Sequence, residues 1–268
     1  MPQLGNLSLN LLIDAYDTIG GDNLFSPAVG AEWQQALGFA DTSDLNVCMT
    51  ALLIDDGAEL TLVDTGFGSN ERAERDTSLV KSMAAQGIAP ESINRVIITH
   101  AHGDHCMGNT IKRGARWLPV FANAEYVMQR SEYAAGEAVQ DPVWLTRIAP
   151  LTDTDQLRLI EGRVAIDEHL TCWPTPGHTI GHQCVLIESE GQKALHLGDL
   201  AVLRQSLLRP EWGPDWAWSH EEDTLSRRRV IVWALEESAV LIAGHDGEMP
   251  WIRLALDGDA LVPMPAQF

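Results

Sequence analysis

The sequence is poor in basic residues. Its 268 residues include 18 Lys and Arg against 38 Asp and Glu, which gives a formal net charge of −20. Proteins that bind nucleic acids or anionic membranes do so through clusters of Lys and Arg. The deficit of basic side chains therefore argues against both kinds of partner.

Long apolar runs and a leader-like start are also missing. No stretch approaches the ~20 apolar residues that a membrane-spanning helix needs. The N-terminal segment MPQLGNLSLNLLIDAYD has neither the basic start nor the unbroken apolar run of a secretory signal, so we expect a cytoplasmic protein. The four cysteines show no CxxC spacing, and in such a compartment we expect them to be reduced and mostly buried.

Apolar runs that end near a glycine are the most prominent feature of the sequence. Residues 47–54 and 60–63 predict two strands joined at Asp56-Gly57, and INRVIIT predicts a third, buried strand. Later apolar runs end in glycine with His or Asp, in HLTCWPTPGH, CVLIES, QKALHLGDL and AVLIAGHDG. Strands that first follow one another and then alternate with helices predict a layered α/β architecture.

Three helices are predicted between these strands. They cover residues 78–86, a segment starting near Asn123, and residues 224–237. We expect residues 1–268 to form one domain, because 45% hydrophobic content suffices for a sizeable core. Residues 204–223, rich in Trp and Pro, predict an irregular loop or lid.

The segment THAHGDH places four potential metal ligands, His100, His102, Asp104 and His105, within six positions. Neither a helix nor a strand turns all four side chains to one point, so we predict a loop at the end of the strand RVIIT. Imidazole and carboxylate suit a divalent ion such as Zn²⁺, and four such groups in one loop predict two neighbouring ions. Three further candidates each follow an apolar run and lie beside glycine, namely His178, Asp199 and His245.

The motifs LVDTG, THAHGDH, TPGHTIGH, LHLGDL and IAGHD, in this order, resemble the metallo-β-lactamase-fold hydrolases. The resemblance implies a four-layer αββα sandwich, with two mixed sheets facing each other and helices outside. It also implies two divalent ions, Zn being expected and Mn, Fe or Co remaining open. The implied ligands are His100, His102 and His178 for the first ion, Asp104, His105 and His245 for the second, and Asp199 bridging both.

The implied chemistry is hydrolysis by a water that two metal ions share and activate. Asp199 would set the separation of the ions, and Asp104 would orient the hydroxide or pass its proton to the leaving group. Asp64 in LVDTG resembles the aspartate that hydrogen-bonds a ligand imidazole and fixes its tautomer, although it could also simply close a turn. We expect His182 to be structural and Cys106 to be a core residue.

Within this family, the C-terminal part is similar to the branch of acyl-homoserine lactonases and methyl-parathion-type hydrolases. We therefore expect hydrolysis of a carboxylic ester or lactone with an apolar portion. Phosphotriester or thioester hydrolysis at the same site remains an alternative, as does a non-catalytic protein that binds a ligand in the metal pocket. Lactonases of this branch place Tyr three residues after the bridging Asp, where this chain has Val202, so the leaving-group acid stays open.

The Trp-rich segment offers candidates for the substrate pocket. Trp212, Trp216 and Trp218 could wall an apolar pocket, and His220 could donate a proton. Alternatively, the same tryptophans pack on the surface or against a second subunit, so a homodimer is also possible.

Overall fold

The computed structural model describes residues 2–39, 43–68 and 78–267, and the end of the loop LVDTGFGSN lies outside them. The chain divides into two compact units, one of Met1–Ala15 with Met49–Val164 and the other of Tyr16–Cys48 with Ala165–Phe268. Each unit has its own apolar core, which includes Val96 and Tyr126 in the first unit and Leu195 and Leu241 in the second.

Seven strands form the first sheet. They are β1 (Gln3–Leu4), β2 (Leu7–Gly20), β3 (Asp44–Asp55), β4 (Leu60–Val63), β5 (Arg95–Ile97), β8 (Glu125–Gln129) and β9 (Leu157–Ile160), and a separate hairpin pairs β6 (Thr110–Arg113) with β7 (Arg116–Pro119). The order across the sheet is β1-β2-β3-β4-β5-β8-β9. Strands β4, β5, β8 and β9 pair in parallel, whereas β3 runs antiparallel to β4.

The second sheet also has seven strands, which follow one another in chain order. They are β10 (Val164–Ala165), β11 (Leu170–Pro174), β12 (Gln183–Ser189), β13 (Gln192–His196), β14 (Val240–Ile242), β15 (Trp251–Asp257) and β16 (Ala260–Pro265). Strands β13 and β14 are parallel, and the neighbouring pairs are antiparallel. Two mixed sheets accompanied by helices confirm the predicted α/β class.

The helices are mostly short. They are α1 (Gly21–Leu24), α2 (Ala31–Leu37), α3 (Leu79–Ala85), α4 (Gly103–Cys106), α5 (Arg130–Val139), α6 (Ala149–Asp153) and α7 (His220–Glu236), with a π-helical turn at Trp144–Ile148 and 3₁₀ turns at Pro90–Ser92, Met107–Asn109, Gly198–Ala201 and Arg204–Leu207. Among the described residues, no helix is long and apolar enough to cross a membrane.

Two predicted helix starts are wrong. The helix expected near Asn123 begins at Arg130, because residues 125–129 form the buried strand β8 between β5 and β9. Pairing on both sides of this strand overrides the helical composition of the segment. Helix α7 begins at His220 and not at Thr224, since the hydroxyl of Ser219 accepts a hydrogen bond from the Glu222 N–H and caps it. The irregular segment predicted at 204–223 therefore ends in a helical turn.

Candidate metal centre

Asp64 and several of the predicted ligands follow the carboxyl ends of parallel strands, whereas His178 lies between the antiparallel strands β11 and β12. In the first unit, β4 ends immediately before Asp64 and β5 ends three residues before His100. In the second unit, β13 ends three residues before Asp199, and β14 ends three residues before His245. The carboxyl ends of parallel strands lie at one edge of a sheet, which is where ligands bind in α/β folds.

The THAHGDH segment combines extended backbone with one helical turn. His102 has φ −72° and ψ 154° and precedes α4, which carries Asp104 and His105. His100 Nε2 lies 3.0 Å from His102 Nδ1, and His105 Nε2 lies 3.5 Å from an Asp104 carboxylate oxygen. The change of backbone conformation thus brings the four side chains together as two neighbouring pairs, which no single regular element would do.

Asp64 organises the imidazoles of the first unit. Its carboxylate accepts hydrogen bonds from His105 Nδ1 at 2.8 Å and from the Thr99 hydroxyl and Thr99 N–H at 2.8 Å each. Because the Thr99 hydroxyl proton points to Asp64, the Thr99 oxygen accepts from His100 Nδ1 at 3.0 Å. Both imidazoles therefore carry their proton on Nδ1, and each presents the lone pair of Nε2.

In the second unit, Asp199 lies between two imidazoles. One of its carboxylate oxygens is 3.1 Å from His178 Nε2, and the other is 2.9 Å from His245 Nε2. His245 Nδ1 donates to the carbonyl oxygen of Cys48 at 2.8 Å, which leaves the Nε2 lone pair facing the carboxylate. Two acceptors at this distance repel unless a cation lies between them. The arrangement suits a cation between Asp199 and His245.

His182 fixes the backbone of Asp199. Its Nε2 accepts a hydrogen bond from the Asp199 N–H at 3.0 Å, so its proton lies on Nδ1, which donates to the Thr175 carbonyl at 3.1 Å. Both ring nitrogens are thus engaged and the ring is fully buried. This geometry agrees with the structural role predicted for His182.

Two further residues support the site, and the sequence analysis pointed to the glycine but not to the glutamate. Glu132 on α5 is buried and accepts a hydrogen bond from the Ala101 N–H at 2.9 Å, between two ligand histidines. Gly177, with φ +143°, allows the start of α7 to approach the His178 loop, since a Cβ there would lie 2.2 Å from the backbone of Asp223. The glycine before His178 was visible in the sequence, but no local pattern marks Glu132.

The donor set in each unit suits a divalent metal ion. The ligand atoms are imidazole nitrogens and carboxylate oxygens, and they lie within 4.8 Å of one another in the pairs His100–His102, Asp104–His105, His178–Asp199 and Asp199–His245. Three of the imidazoles, those of His100, His105 and His245, have their proton held away from the ligand nitrogen by a hydrogen bond to Nδ1. Zn²⁺ and similar ions require this unprotonated form.

The predicted pocket residues lie on the segment that leads into α7. Trp216 and Trp218 are exposed, Trp212 is half-buried, and His220 is exposed in the first turn of α7. The Trp218 N–H donates to the His178 carbonyl at 3.0 Å, so the backbone of this segment is anchored beside a ligand. Val202 is buried. Cys106 is also buried, and this burial raises the pKa of its thiol, as expected of a core residue.

Comparisons with known proteins agree with this geometry. Residues 50–248 match the family model of the metallo-beta-lactamase superfamily. An N-acyl homoserine lactonase of Bacillus sp is 28% identical over 170 residues, which cover 63% of this chain and 62% of the relative. The chain thus matches only about three fifths of that lactonase's length. A mouse metallo-beta-lactamase domain-containing protein 1 is 28% identical over 193 residues, 72% of this chain and 61% of the relative.

Solved structures show the same fold. A probable metal-dependent hydrolase from Staphylococcus aureus superposes with a TM-score of 0.84 at 21% identity, covering 100% of this chain and 99% of that one. The dizinc quorum-quenching lactonase AidC superposes with a TM-score of 0.82 at 23% identity, covering 100% and 97%. With its family model matched over most of its length, the chain belongs to the metallo-beta-lactamase superfamily.

Proposed function

We propose that the chain is a hydrolase of carboxylic esters or lactones that uses two divalent metal ions, with zinc as the expected metal. The proposed ligands are the seven predicted from the motifs, namely His100, His102, Asp104, His105, His178, Asp199 and His245. The observation that carries the proposal is the placement of Asp199, whose two carboxylate oxygens face the Nε2 atoms of His178 and His245. A carboxylate with only one metal to bind would not need both oxygens directed at separate imidazoles.

A pair of divalent ions held by these residues would supply a water of lowered pKa and a Lewis acid for the carbonyl oxygen of the substrate. The chain's own residues keep the ligands in their unprotonated form. Asp64 does so for His105 directly and for His100 through Thr99, and the Cys48 carbonyl does so for His245. His182 holds the peptide of Asp199 in place.

Asp104 is the proposed proton carrier. Its carboxylate is partly exposed, unlike that of Asp199, and one of its oxygens lies 3.5 Å from His105 Nε2. It can therefore hold a proton near the reacting water and release it to an alkoxide leaving group. Position 202 is a buried valine, which offers no hydroxyl. In this proposal Asp104 therefore carries the proton without a tyrosine at that position.

The lactone or ester substrate is supported by the relatives. The N-acyl homoserine lactonase of Bacillus sp, at 28% identity, and the dizinc lactonase AidC, at 23% identity, are both lactonases by name. A neutral or weakly polar small molecule also suits a chain with a net charge of −20. The single domain spanning residues 1–268, the cytoplasmic location and the homodimer stay predictions.

The experiment measures metal content and activity together. Purified protein loaded with Zn²⁺ is analysed for metal per chain and then assayed with a lactone, an aryl ester, a thioester and a phosphotriester. We expect about two metal ions per chain and the highest kcat/KM with the lactone or the ester. A preference for the thioester or the phosphotriester would contradict the proposed substrate class but would still agree with metal-dependent hydrolysis. Fewer than two metal ions per chain, together with no turnover of any of the four substrates, would favour the alternative of a non-catalytic protein that binds a ligand in the metal pocket.

A further inference from the structure

The segments that carry Asp199 and His245 leave two neighbouring strands of the second sheet. Strands β13 and β14 are parallel, and the last pair of their register is His196 with Ile242. Just beyond it, the Leu197 N–H donates to the Ile242 carbonyl at 3.0 Å. Each ligand comes three residues after its strand. The separation of the two ligand side chains therefore depends on contacts between the segments beyond the paired strands.

The carboxylate of Asp246 makes one such contact. Asp246 follows His245 and is buried, with 1% exposure. Both of its oxygens accept from the Arg204 guanidinium, at 2.6 and 2.7 Å, and one of them also accepts from the Arg204 N–H at 3.1 Å. The other oxygen accepts from the N–H groups of Glu248 and Met249 at 3.1 and 3.0 Å, which fixes the loop after His245. Asp246 thus joins this loop to the segment that begins at Arg204 through charge-assisted hydrogen bonds.

Arg204 is in turn closely coupled to Asp199, which it follows by five positions. The residues between them, 200–203, are all buried, and close-packed buried side chains move little relative to one another. Both ends of this stretch are also fixed, because the Leu200 carbonyl accepts from Arg227 Nε at 2.8 Å and His182 accepts from the Asp199 N–H. A displacement of Arg204 would therefore be transmitted to Asp199.

The ion pair of Arg204 and Asp246 lines a cavity of about 430 Å³ in the second unit. None of the described residues that line this cavity is a proposed metal ligand. We therefore assign the ion pair no contact with the reacting groups. Any effect that it has on the metal centre passes through the two segments that carry ligands.

We propose that Arg204 and Asp246 are positioning residues of the metal centre, which hold His245 at the separation from Asp199 that an ion shared by these two ligands requires. The proposal rests on the proposed function, because both residues act through proposed ligands. His245 Nε2 lies 2.9 Å from an Asp199 oxygen, and the ion pair joins the two backbones one residue beyond His245. Removing a residue that orients a metal ligand without touching the metal typically lowers metal affinity about 10- to 100-fold.

The first test measures the affinity of each metal-binding step. Zn²⁺ is titrated into the metal-free protein in competition with a chelating dye, and the variant His245→Ala identifies the binding step that needs His245. We expect Arg204→Met to weaken that step about tenfold and the other step less than about threefold. An unchanged affinity at the step that needs His245, or an equal weakening of both steps, would overturn the proposal.

A double variant separates positioning from stability. Arg204→Met alone leaves Asp246 as a buried carboxylate without its cation, so this variant should also melt at a lower temperature. Adding Asp246→Asn removes that charge, while the Asn oxygen can still accept from the N–H groups of Glu248 and Met249. We expect the melting temperature of the double variant to recover towards that of the wild type, with the step that needs His245 still about tenfold weaker. Recovery of both quantities would mean that the ion pair contributes only stability, against the proposal.

Glu248→Gln is the matched control for the loss of a nearby charge. Glu248 accepts from the same guanidinium at 2.7 Å, but its side chain is 83% exposed, and an ion pair in water contributes little. The substitution removes a carboxylate charge and leaves the hydrogen bonds between Arg204 and Asp246 in place. We expect both metal-binding steps to change less than about twofold. A loss as large as that in Arg204→Met would assign the effect to local charge and contradict positioning by the ion pair.

Amide hydrogen exchange distinguishes a failure of this proposal from a failure of the proposed function. Wild-type protein that takes up fewer than two ions would contradict the proposed function, and the ion pair is then judged in the metal-free protein. The Cys48 N–H donates to the His245 carbonyl at 3.0 Å and reports on the His245 loop, whereas the Leu197 N–H reports on the end of the paired strands. We expect the double variant to exchange the Cys48 amide about tenfold faster and the Leu197 amide less than about twofold faster. An unchanged Cys48 amide, or equal changes at both amides, would show that the ion pair does not hold the His245 loop.

Discussion

Asp64 and His105 are joined by a 2.8 Å hydrogen bond from His105 Nδ1 to the carboxylate, and Asp64 makes it from left-handed backbone with φ +63°. Few residues other than glycine adopt this conformation, and Asp and Asn are among those that tolerate it. The turn therefore has a strained backbone at the position that fixes the tautomer of two proposed ligand histidines, His100 and His105. Strain at such a position is consistent with a functional rather than a turn-closing role.

Asp64→Asn should weaken metal binding while the turn is kept. Asn tolerates the same backbone conformation, but its amide cannot accept all three of the hydrogen bonds that the carboxylate accepts. We expect metal affinity to fall about 10- to 100-fold, measured by competition with a chelating dye, and kcat/KM to fall with it at limiting metal. Asp155→Asn is the matched control, since Asp155 is exposed and has φ +54°. Equal metal affinities of the two variants would contradict the role of Asp64.

Asp199→Ala should remove the link between the two proposed metal positions. The side chain that faces both His178 and His245 is lost, so we expect the metal content to fall from about two ions per chain towards one and kcat to fall about 100-fold or more. Thermal melting of the metal-free protein should change little, because without a cation the Asp199 carboxylate faces the Nε2 lone pair of His245, and its removal ends that repulsion. Full activity with two metal ions bound would count decisively against a bridging carboxylate.

The ligand motifs were predictable because metal coordination restricts residue type, spacing and position after a strand. Four of the proposed ligands lie within six positions, namely His100, His102, Asp104 and His105. The buried apolar run before them predicts the strand that leads to them. The partners that orient them were less predictable. Thr99 opens the THAHGDH motif, but the sequence does not show that its hydroxyl links Asp64 to His100, and Glu132 comes from a helix about thirty residues further along the chain.

The errors of the sequence-based predictions also have physical causes. Strand β8 was mistaken for part of a helix because its stability comes from two neighbouring strands that are distant in sequence. The start of α7 could have been found, since Ser219 and Glu222 have the spacing of a capping box. The cavity of about 430 Å³ in the second unit could not be predicted, because its lining residues Tyr16, Arg204 and Glu248 come together only in the folded chain.

Trp216→Ala distinguishes a substrate wall from a surface contact. The Trp216 ring is 41% exposed, and the neighbouring segment is tied to the His178 carbonyl through Trp218. If Trp216 contacts the apolar part of the substrate, KM should rise more than kcat falls. Leu256→Ala, at a 62% exposed position on β15, is the control for loss of an exposed apolar side chain. An unchanged KM in the Trp216 variant would favour the surface or subunit-contact interpretation.

Arg227 and Asp223 form a buried ion pair, one turn apart on α7, with exposures of 1% and 0%. Arg227 also donates to the carbonyls of Leu200, beside the bridging Asp199, and of Pro210, in the Trp-rich segment. Burial lowers the pKa of Arg227 to about 10. The guanidinium therefore stays charged at neutral pH, and only above about pH 10 would the folded chain release the proton before the unfolded chain does.

Arg227→Met should therefore be strongly destabilising, because it leaves Asp223 as a buried carboxylate without its cation. We expect the free energy of unfolding to fall by about 3–5 kcal/mol in urea titrations at about pH 8. Asp223→Asn combined with Arg227→Met should recover part of this loss, because it removes the uncompensated charge. Arg228→Met, one residue along at an exposed position, should change stability by less than about 0.5 kcal/mol. If Arg227→Met were as stable as Arg228→Met, the ion pair would not be what holds the start of α7 beside the Asp199 turn.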